Sequence, residues 1–279
     1  MSSILHAVLH ADLVLARRLE RAEGSANAAF VEARARIMPG SGAQWMEVAG
    51  TYAMFDGVDS PCTQTFGLGL FQMPTSEDMA RLETFFQERQ SSVMHEVCPL
   101  AEAALLPMLS ERGYRPMELS NVLYLLLEQF RSESIAKVSD GVQARVAGEQ
   151  DHDVWAKTSA EGWSEFQEYA PMMADLSRVS AAKKDGPLFL AEIEGKPVAA
   201  GALALHAGVA LFAGASTIPA WRHRGAQQAL LQRRFQYAME VGCDLAMIVT
   251  APGSSSQRNA ERSGFRVAYT RTKWLLSGK

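Results

Sequence analysis

The alternation of hydrophobic and polar positions predicts helices and strands in a defined order. Between residues 11 and 37, alanine, leucine, arginine and glutamate recur at helical spacing, which predicts a helix with a break near Gly24. Shorter apolar runs bounded by Gly, Pro and Asn predict strands. The prediction for the rest of the first half is strands at 44–49, 51–55 and 63–71, a helix from 75 or 76 to 90, a strand at 92–97, a helix at 100–112 and a strand at 121–127.

The same order of elements returns in the second half of the chain. Strands are predicted at 188–193, 197–206 and 209–218, followed by a helix from 225, a strand from 244, a helix from 254 and a strand from 266. The two halves also have similar sequences before their last strands. Glu-Arg-Gly-Tyr ends at Tyr114, and Glu-Arg-Ser-Gly-Phe ends at Phe265. This repeat predicts an α/β (α+β) fold with two tandem domains, residues 1–130 and 142–279, joined by a linker at 131–141.

The turn between the strand at 209–218 and the next helix has the features of an anion site. Gly225 lets the backbone approach a ligand closely, and the N–H groups of the first helical turn attract a phosphate. From residue 195 to 239 there is no Asp or Glu, although the whole chain carries a net charge of −4. The basic residues of this stretch are Lys196, Arg222, Arg224, Arg233 and Arg234. An ordinary strand-turn-helix with solvated arginines is the alternative interpretation.

Two motifs in the second half resemble those of the GNAT acyltransferase superfamily. Arg222-x-x-Gly225-x-Gln227 resembles motif A, Gln/Arg-x-x-Gly-x-Gly/Ala, and departs from it at Gln227, where a small residue is usual. The helix that Ser254 opens and Ser263-Gly264-Phe265 ends resembles motif B. The resemblance covers roughly residues 142–279. It implies two tandem GNAT-like domains, each a mixed, mostly antiparallel sheet flanked by helices.

The resemblance also implies a co-substrate, acetyl-CoA or another acyl-CoA, and an activity. The implied protein is an N-acyltransferase, expected to be an acetyltransferase, that moves the acyl group to the amine of a small-molecule acceptor by direct attack. The pyrophosphate would lie on the amides of 223–227 and the pantetheine along the strand at 216–218, where a backbone N–H at a bulge would polarise the thioester carbonyl. The implied coenzyme-binding residues are Ser216, Thr217, Ile218, Arg222, His223, Arg224, Gly225, Ala226, Gln227, Ser256 and Asn259.

The first copy departs from this pattern and is interpreted as degenerate. Residues 72–78 stand where the second copy has its arginines, and they include Glu77 and Asp78. These acids would repel a pyrophosphate and would themselves satisfy the amides at the helix start. A structural role is therefore expected for the first copy.

Residues for acid–base catalysis are sparse in the sequence. Many family members have a Glu on the strand before motif A and a Tyr before the Gly-Phe pair, but residues 211–216 contain no carboxylate and Ala260 occupies the tyrosine position. The remaining candidates are Asn259, Glu192 and His206. Glu192 and His206 would act on the acceptor through water. The alternative interpretation of each is an ordinary sheet residue that faces solvent or is satisfied locally. Trp163 and Phe166 are candidates for an apolar wall of the acceptor site.

The composition favours a soluble globular protein. Hydrophobic residues make up 48% of the chain and charged residues 21%, and no apolar run approaches the ~20 residues of a membrane span. The N-terminus lacks the basic region of a secretion signal, and the three widely separated cysteines form neither a metal pattern nor an even disulfide set, so a cytoplasmic protein is predicted. The sequence pI of about 5.9 does not favour nucleic acid as a partner. Neither a metal nor a membrane partner is expected, and the oligomeric state is expected to be a monomeric pseudo-dimer or a homodimer.

Other interpretations of particular residues and of the whole chain stay open at this point. The run Asp151-His152-Asp153 predicts the start of a helix in preference to a metal site. The missing Glu and Tyr are typical of a catalytically silent acyl-CoA-binding sensor or regulatory protein. The repeat alone would fit a purely structural pseudo-dimer, although the basic stretch argues against it. Only a measurement of turnover distinguishes the acyltransferase from the silent acyl-CoA-binding sensor.

Overall fold

The computed structural model describes residues 11–130 and 141–277, so the first ten residues and all but the last residue of the predicted linker lie outside the described residues. The strands are β1 (Gln44–Val48), β2 (Thr51–Phe55), β3 (Gln64–Phe66), β4 (Val93–Val97), β5 (Arg115–Leu126), β6 (Val142–Val146), β7 (Leu188–Ile193), β8 (Lys196–His206), β9 (Val209–Thr217), β10 (Leu245–Thr250) and β11 (Arg266–Leu276). The helices are α1 (Leu13–Ile37), α2 (Ser76–Gln87), α3 (Leu105–Glu111), α4 (His152–Glu161), α5 (Ala170–Ala181), α6 (Ala226–Glu240) and α7 (Ser255–Arg262).

The described strands form one 11-stranded sheet in the order β1-β2-β3-β4-β11-β5-β10-β9-β8-β7-β6. Within this sheet, β3 and β4 are parallel, β9 and β10 are parallel, and the other neighbours are antiparallel. Helices α6 and α7 pack on one side of the second half, where Leu230 and Ala260 join the core of Phe212 and Phe265. The α/β fold with a mixed, mostly antiparallel sheet flanked by helices is therefore confirmed.

The two halves exchange their last strands at the centre of the sheet. β5, which ends the first half, pairs with β10 of the second half, with Leu126 opposite Leu245. β11, which ends the second half, pairs with β4 of the first, with Thr272 opposite Val97. β5 and β11 also pair with each other. Each half therefore completes its part of the sheet with a strand from the other half.

Helix α1 runs through Gly24 without the predicted break. Gly24 is buried, and a Cβ atom on it would lie 3.2 Å from Cδ2 of Tyr52 and 3.6 Å from Cβ of Phe66. The glycine therefore allows close packing of α1 on β2 and β3. Its cost in a helix, about 1 kcal/mol relative to alanine, is small beside the packing of a 25-residue helix.

Three other elements differ from their predicted bounds by five residues or more at one end. The strand predicted at 63–71 is limited to β3, because Gly67 and Gly69 have φ angles of +82° and +69° and turn the chain. Helix α3 begins at Leu105, five residues after its predicted start. β5 begins at Arg115, before its predicted start at 121, because the exposed residues 115–119 are held as a strand mainly by pairing with β11.

A buried charged cluster fixes α1 to the exchanged strand β11. Arg271, which is 1% exposed, lies 3.3 Å from Oε1 of Glu20 and 2.6 Å from Oε2 of Glu23. The Tyr269 hydroxyl donates a hydrogen bond of 2.9 Å to Glu20. Burial raises the pKa of the Glu20 carboxyl to about 7, against the opposing effect of the Arg271 charge. The cluster therefore links the first helix of the chain to its last strand.

Candidate functional site

The parallel strands β9 and β10 separate halfway along their length. They pair at three positions, the last of which joins Leu211 and Met247. β9 continues to Thr217 and β10 to Thr250, so their facing edges diverge beyond this point. Residues 213–215 of β9 are exposed in the gap. A free strand edge of this kind can pair with an extended ligand.

β9 contains a β-bulge inside this gap. Its pairing with β8 shifts by one residue there, so that Gly201 of β8 lies opposite both Gly214 and Ala215. Gly214 has a φ angle of +60°, which favours glycine. A bulge leaves its extra residue outside the ladder of hydrogen bonds. The strand thus contains the bulge that the GNAT resemblance implies.

Helix α6 begins at the open end of the gap. Its N-cap residue is Gly225, with φ +90° and ψ −1°, and no side chain of the described residues caps the helix. His223 also has a positive φ angle, +63°. Gly225, Ala226 and Gln227 line a cavity. The uncapped amides and the helix dipole therefore give this cavity a positive potential at one end.

Two adjoining cavities occupy the space around the gap. The inner cavity, of about 540 Å³, lies between α6 and α7 and reaches Leu231, Arg234 and Phe265. The outer cavity, of about 660 Å³, lies between the start of α6 and the connection from α4 to α5. Both cavities contact the bulge residue Ala215 and Asn259 of α7. One elongated ligand could therefore contact the helix start, the bulge and the space between the helices.

Most of the predicted coenzyme-binding residues line these cavities. The outer cavity contacts Ser216, Thr217, Arg222, His223, Gly225 and Ala226, the inner cavity contacts Ser256, and both contact Gln227 and Asn259. Ile218 and Arg224 line neither of them. The Ile218 amide donates to the Val198 carbonyl (3.0 Å), and the Arg224 guanidinium lies 4.9 Å from the centre of the Trp221 ring.

Hydrogen bonds fix the loop that precedes α6. Nε2 of Gln227 donates to Oγ1 of Thr217 at 2.7 Å and so ties the first turn of α6 to the end of β9. This contact gives a physical reason for a long polar residue where the motif usually has a small one. Arg222 forms an ion pair with Glu165 and donates to the Gly162 carbonyl at 3.1 Å. The charge of Arg222 is therefore partly balanced by a carboxylate.

The three catalytic candidates are not brought together. Asn259 lines both cavities, but Glu192 and His206 line neither. The Glu192 carboxylate accepts a hydrogen bond of 3.0 Å from Arg145 at the far side of the sheet. His206 ends β8 in a separate cavity near Arg21, and the pKa of its imidazole is lowered by burial and by that arginine.

The described residues that line the two cavities include no Asp, Glu, Tyr or Cys. Their ionisable side chains are those of Arg222, His223, Arg234 and Arg262. The cavities therefore offer positive charge, backbone amides, hydroxyls and carboxamides. This chemistry suits the binding of an anion and the polarisation of a carbonyl better than the removal of a proton.

Aromatic rings form one wall of the outer cavity. The rings of Trp163 and Phe166 lie 6.2 Å apart in the connection from α4 to α5, and both line the cavity. Their role as an apolar wall of the acceptor site stays a prediction. Trp221 joins them. Trp221 was missing from the sequence prediction, although its position next to Arg222 was a signal for it.

Several further lining residues were also missed by sequence reasoning. They are Gly162, Gln228, Arg234, Ser255 and Arg262. The acid-free stretch gave a signal for Arg234 but did not show that its side chain is buried. Nothing in the sequence marked Gly162 as a lining residue. A glycine is needed there because a Cβ atom would lie 2.5 Å from Cβ of Ser216, which is distant in sequence.

Helix α2 has in the first half the place that α6 has in the second, and its start is capped. Oγ1 of Thr75 accepts a hydrogen bond from the Asp78 amide (3.1 Å), and Oδ2 of Asp78 accepts one from the Thr75 amide (3.0 Å). The hydrogen bond from the Thr75 amide, and a second one that the Thr75 hydroxyl donates to Oδ2, lower the pKa of the Asp78 carboxyl. The capping box satisfies donors that would otherwise be available to an anion.

The acidic run at 151–153 begins α4. Asp151 accepts a hydrogen bond of 2.9 Å from the Gly148 amide and lies 2.6 Å from Arg145, while Asp153 is in the first turn. The described residues contain no cluster of three His, Cys, Asp or Glu side chains able to hold a metal ion. None of the described helices is long and apolar enough to cross a membrane.

Comparison with known proteins relates this fold and site to acetyltransferases. Residues 152–265 match the family model of the acetyltransferase (GNAT) family. No curated protein sequence matches the chain. A GCN5-related N-acetyltransferase from Kribbella flavida has a similar fold, with a TM-score of 0.62 and 20% identity over 90% of this chain and 96% of that one. A tandem GNAT protein from the clavulanic acid biosynthesis pathway has a TM-score of 0.58 and 12% identity over 97% and 98% of the two chains.

The matched segment contains the main features of the site. It includes the diverging strands, the bulge at Gly214, the uncapped start of α6 and the whole of α7. The two similar structures cover 90% and 97% of this chain and therefore extend over both halves. Residues 152–265 therefore form a GNAT acetyltransferase domain, within a chain whose overall fold resembles that of a tandem GNAT protein.

Proposed function

We propose that this protein transfers an acyl group from acyl-CoA to the amine of a small-molecule acceptor. The observation that carries the proposal is the uncapped start of α6 at the point where β9 and β10 separate. The helix start suits a pyrophosphate, and the free edge of β9 suits an extended arm such as pantetheine. The GNAT match of residues 152–265 supports the same ligand.

The coenzyme is held by backbone groups first and by side chains second. The pyrophosphate accepts hydrogen bonds from amides between His223 and Gln227, and Arg262 adds positive charge from α7. The pantetheine follows β9 through the gap, beside Asn259. The thioester carbonyl reaches the bulge at Gly214, where a backbone N–H outside the ladder polarises it.

The acceptor approaches from the outer cavity, along the wall of Trp163 and Phe166. Its amine nitrogen forms a bond to the thioester carbonyl carbon, the carbon–sulfur bond breaks, and coenzyme A leaves as the thiol after taking a proton. No carboxylate lines the described cavities, so the amine arrives neutral or loses its proton through water. Positioning and carbonyl polarisation therefore supply the main part of the rate enhancement.

The first half, residues 1–130, is proposed to be a degenerate GNAT copy that does not bind the coenzyme. The capping box of Thr75 and Asp78 occupies the helix start that corresponds to α6. An anion there would have to displace a carboxylate that already accepts hydrogen bonds. The role of this half is to complete the sheet through β5 and to cover the second half with α1.

A panel of amines incubated with acyl-CoA, with free thiol as the readout, tests the proposed function. Thiol release that depends on the amine supports transfer, and a reaction without amine measures background hydrolysis. Coenzyme binding without turnover of any amine would identify a silent acyl-CoA sensor instead. Absence of coenzyme binding would reject both functions.

A further inference from the structure

The buried side chain of Arg234 is distinguished by its lack of a carboxylate partner. The buried arginines of the described chain are Arg34, Arg234 and Arg271, which are 6%, 4% and 1% exposed. Arg34 pairs with Asp56 and Asp175, and Arg271 pairs with Glu20 and Glu23. Arg234 forms no ion pair with any described residue.

The neutral contacts of Arg234 do not replace a counter-ion. Nε lies 3.3 Å from the Leu230 carbonyl, Nη1 lies 3.4 Å from the Ala202 carbonyl, and Cζ lies 5.0 Å from the centre of the Phe212 ring. Loss of hydration lowers the pKa of this guanidinium to about 10, which still leaves it charged at neutral pH. Arginines are rarely buried without a charged partner, because an unpaired buried charge is strongly unfavourable.

The guanidinium lies beside the bulge where the thioester is proposed to bind. Gly201 is opposite the bulge residues Gly214 and Ala215, and a Cβ atom on Gly201 would lie 3.4 Å from Cζ of Arg234. The glycine therefore leaves room for the guanidinium at this level of the sheet. Arg234 also lines the inner cavity, whose lining includes the bulge residue Ala215.

The inner cavity has a directional arrangement of charge. It begins at Gln227 in the first turn of α6 and reaches Arg234, seven residues further along the helix, a distance of about 10 Å at 1.5 Å per residue. Leu231, Ile248 and Phe265 supply apolar surface between these ends. A ligand in this cavity would therefore pass from the amides at the helix start to a single buried cation.

We propose that the acyl group carried by the coenzyme ends in a carboxylate, and that this carboxylate pairs with Arg234. The proposal rests on the proposed acyl transfer and names its acyl donor as a dicarboxylic acyl thioester, such as malonyl-CoA or succinyl-CoA. The guanidinium offers a fork of N–H groups that matches a carboxylate in geometry and charge. The apolar surface beside it accommodates the short methylene chain.

The test compares succinyl-CoA with butyryl-CoA, which has the same chain length and no charge, in the wild-type protein and two variants. Arg234→Met removes the buried charge and keeps an unbranched, apolar side chain in its place. Arg233→Met is the matched control, because Arg233 is on the same helix but pairs with Glu240 at the surface. The readouts are kcat/KM from thiol release and the Kd of coenzyme A, which has no acyl group.

The wild-type and Arg233→Met proteins should use succinyl-CoA better than butyryl-CoA by roughly 10- to 100-fold, the value of one charged hydrogen-bonded pair. Arg234→Met should lose this preference while its Kd for coenzyme A stays unchanged. If Arg234→Met does not fold, the wild-type protein still provides a test, because succinyl-CoA should raise its Tm more than butyryl-CoA does.

Equal use and equal thermal stabilisation by the two thioesters in the wild-type protein would overturn the proposal but leave acyl transfer intact. A preference for succinyl-CoA that persists in Arg234→Met would also overturn it, because the carboxylate would then bind elsewhere. Failure of the wild-type protein to bind any acyl-CoA would overturn this proposal together with the proposed function.

Discussion

Replacement of Gly225 by glutamate should strongly weaken coenzyme binding and preserve the fold. Gly225 is the N-cap of α6, lines the outer cavity and has a φ angle of +90°. The new carboxylate would stand where the pyrophosphate must approach the helix amides. It would also compete for those amides, because an acidic side chain at a helix start accepts their hydrogen bonds.

The magnitude follows from the charge and from the backbone angle. Two unit charges 4 Å apart interact by about 4 kcal/mol at an effective dielectric constant of 20. Gly225 is half-buried, so solvent screening reduces this to about 2–4 kcal/mol, and the expected loss of affinity is about 30- to 1,000-fold. The left-handed backbone angle costs a further ~1–2 kcal/mol of folding stability for a residue with a Cβ atom.

The matched control for this variant is Gly242→Glu. Gly242 follows the other end of α6, has a φ angle of +79°, and has no atom within 4 Å of a Cβ placed on it. Both variants add the same charge and a similar backbone strain, but only Gly225→Glu places the charge at the cavity. Calorimetric titration with coenzyme A should show normal binding by Gly242→Glu and a large loss for Gly225→Glu. A folded Gly225→Glu protein with unchanged affinity would refute the assignment of the helix start.

Three further predictions concern stability and rate. The pKa of Glu20 is raised from 4.5 to about 7 in the folded protein, so its contribution to stability is full below pH 4.5 and is lost as the pH rises through 7. Urea unfolding should show that the free energy of unfolding of the wild-type protein falls by about 2 kcal/mol more between pH 5.5 and pH 8.5 than that of Glu20→Gln. An equal fall in both proteins would contradict the raised pKa of Glu20. Gly24→Leu should lower the free energy of unfolding by about 1–3 kcal/mol through overpacking against Tyr52, and equal stability would argue against the close contact of α1 with β2. The rate of acyl transfer should rise with pH towards the pKa of the acceptor amine, whereas a bell-shaped profile that disappears in a Glu192 or His206 variant would reveal a general base.

Local patterns in the sequence were enough to predict the elements from β7 to β11 and the start of α6. Gly225 stands between an apolar strand and an amphipathic helix in an acid-free stretch, and each of these signals depends on neighbouring residues alone. The bounds of β7 agree with the prediction for the same reason, because its apolar run is short and clearly bounded. Trp163 and Phe166 line the outer cavity, where their predicted role towards the acceptor can be tested.

Features that depend on distant contacts could not be predicted in this way. The exchange of β5 and β11 is decided by which strand edges meet, and the sequence of either strand alone does not specify its neighbours. Glycine inside a helical pattern predicts a break, but the close contact of Gly24 with Tyr52 and Phe66 explains why the helix has a glycine there. Glu192 was a plausible base by type alone, whereas the structure pairs it with Arg145 away from the cavities.

Calorimetric titration of the wild-type chain with coenzyme A, at low and high salt, tests the central claim most directly. One site per chain is expected, because α6 has free amides at its start and α2 has a capping box. Weaker binding is expected at high salt, since the Debye length falls from about 10 Å at 0.1 M to about 3 Å at 1 M. Two equivalent sites, or an affinity that does not change with salt, would contradict the central claim.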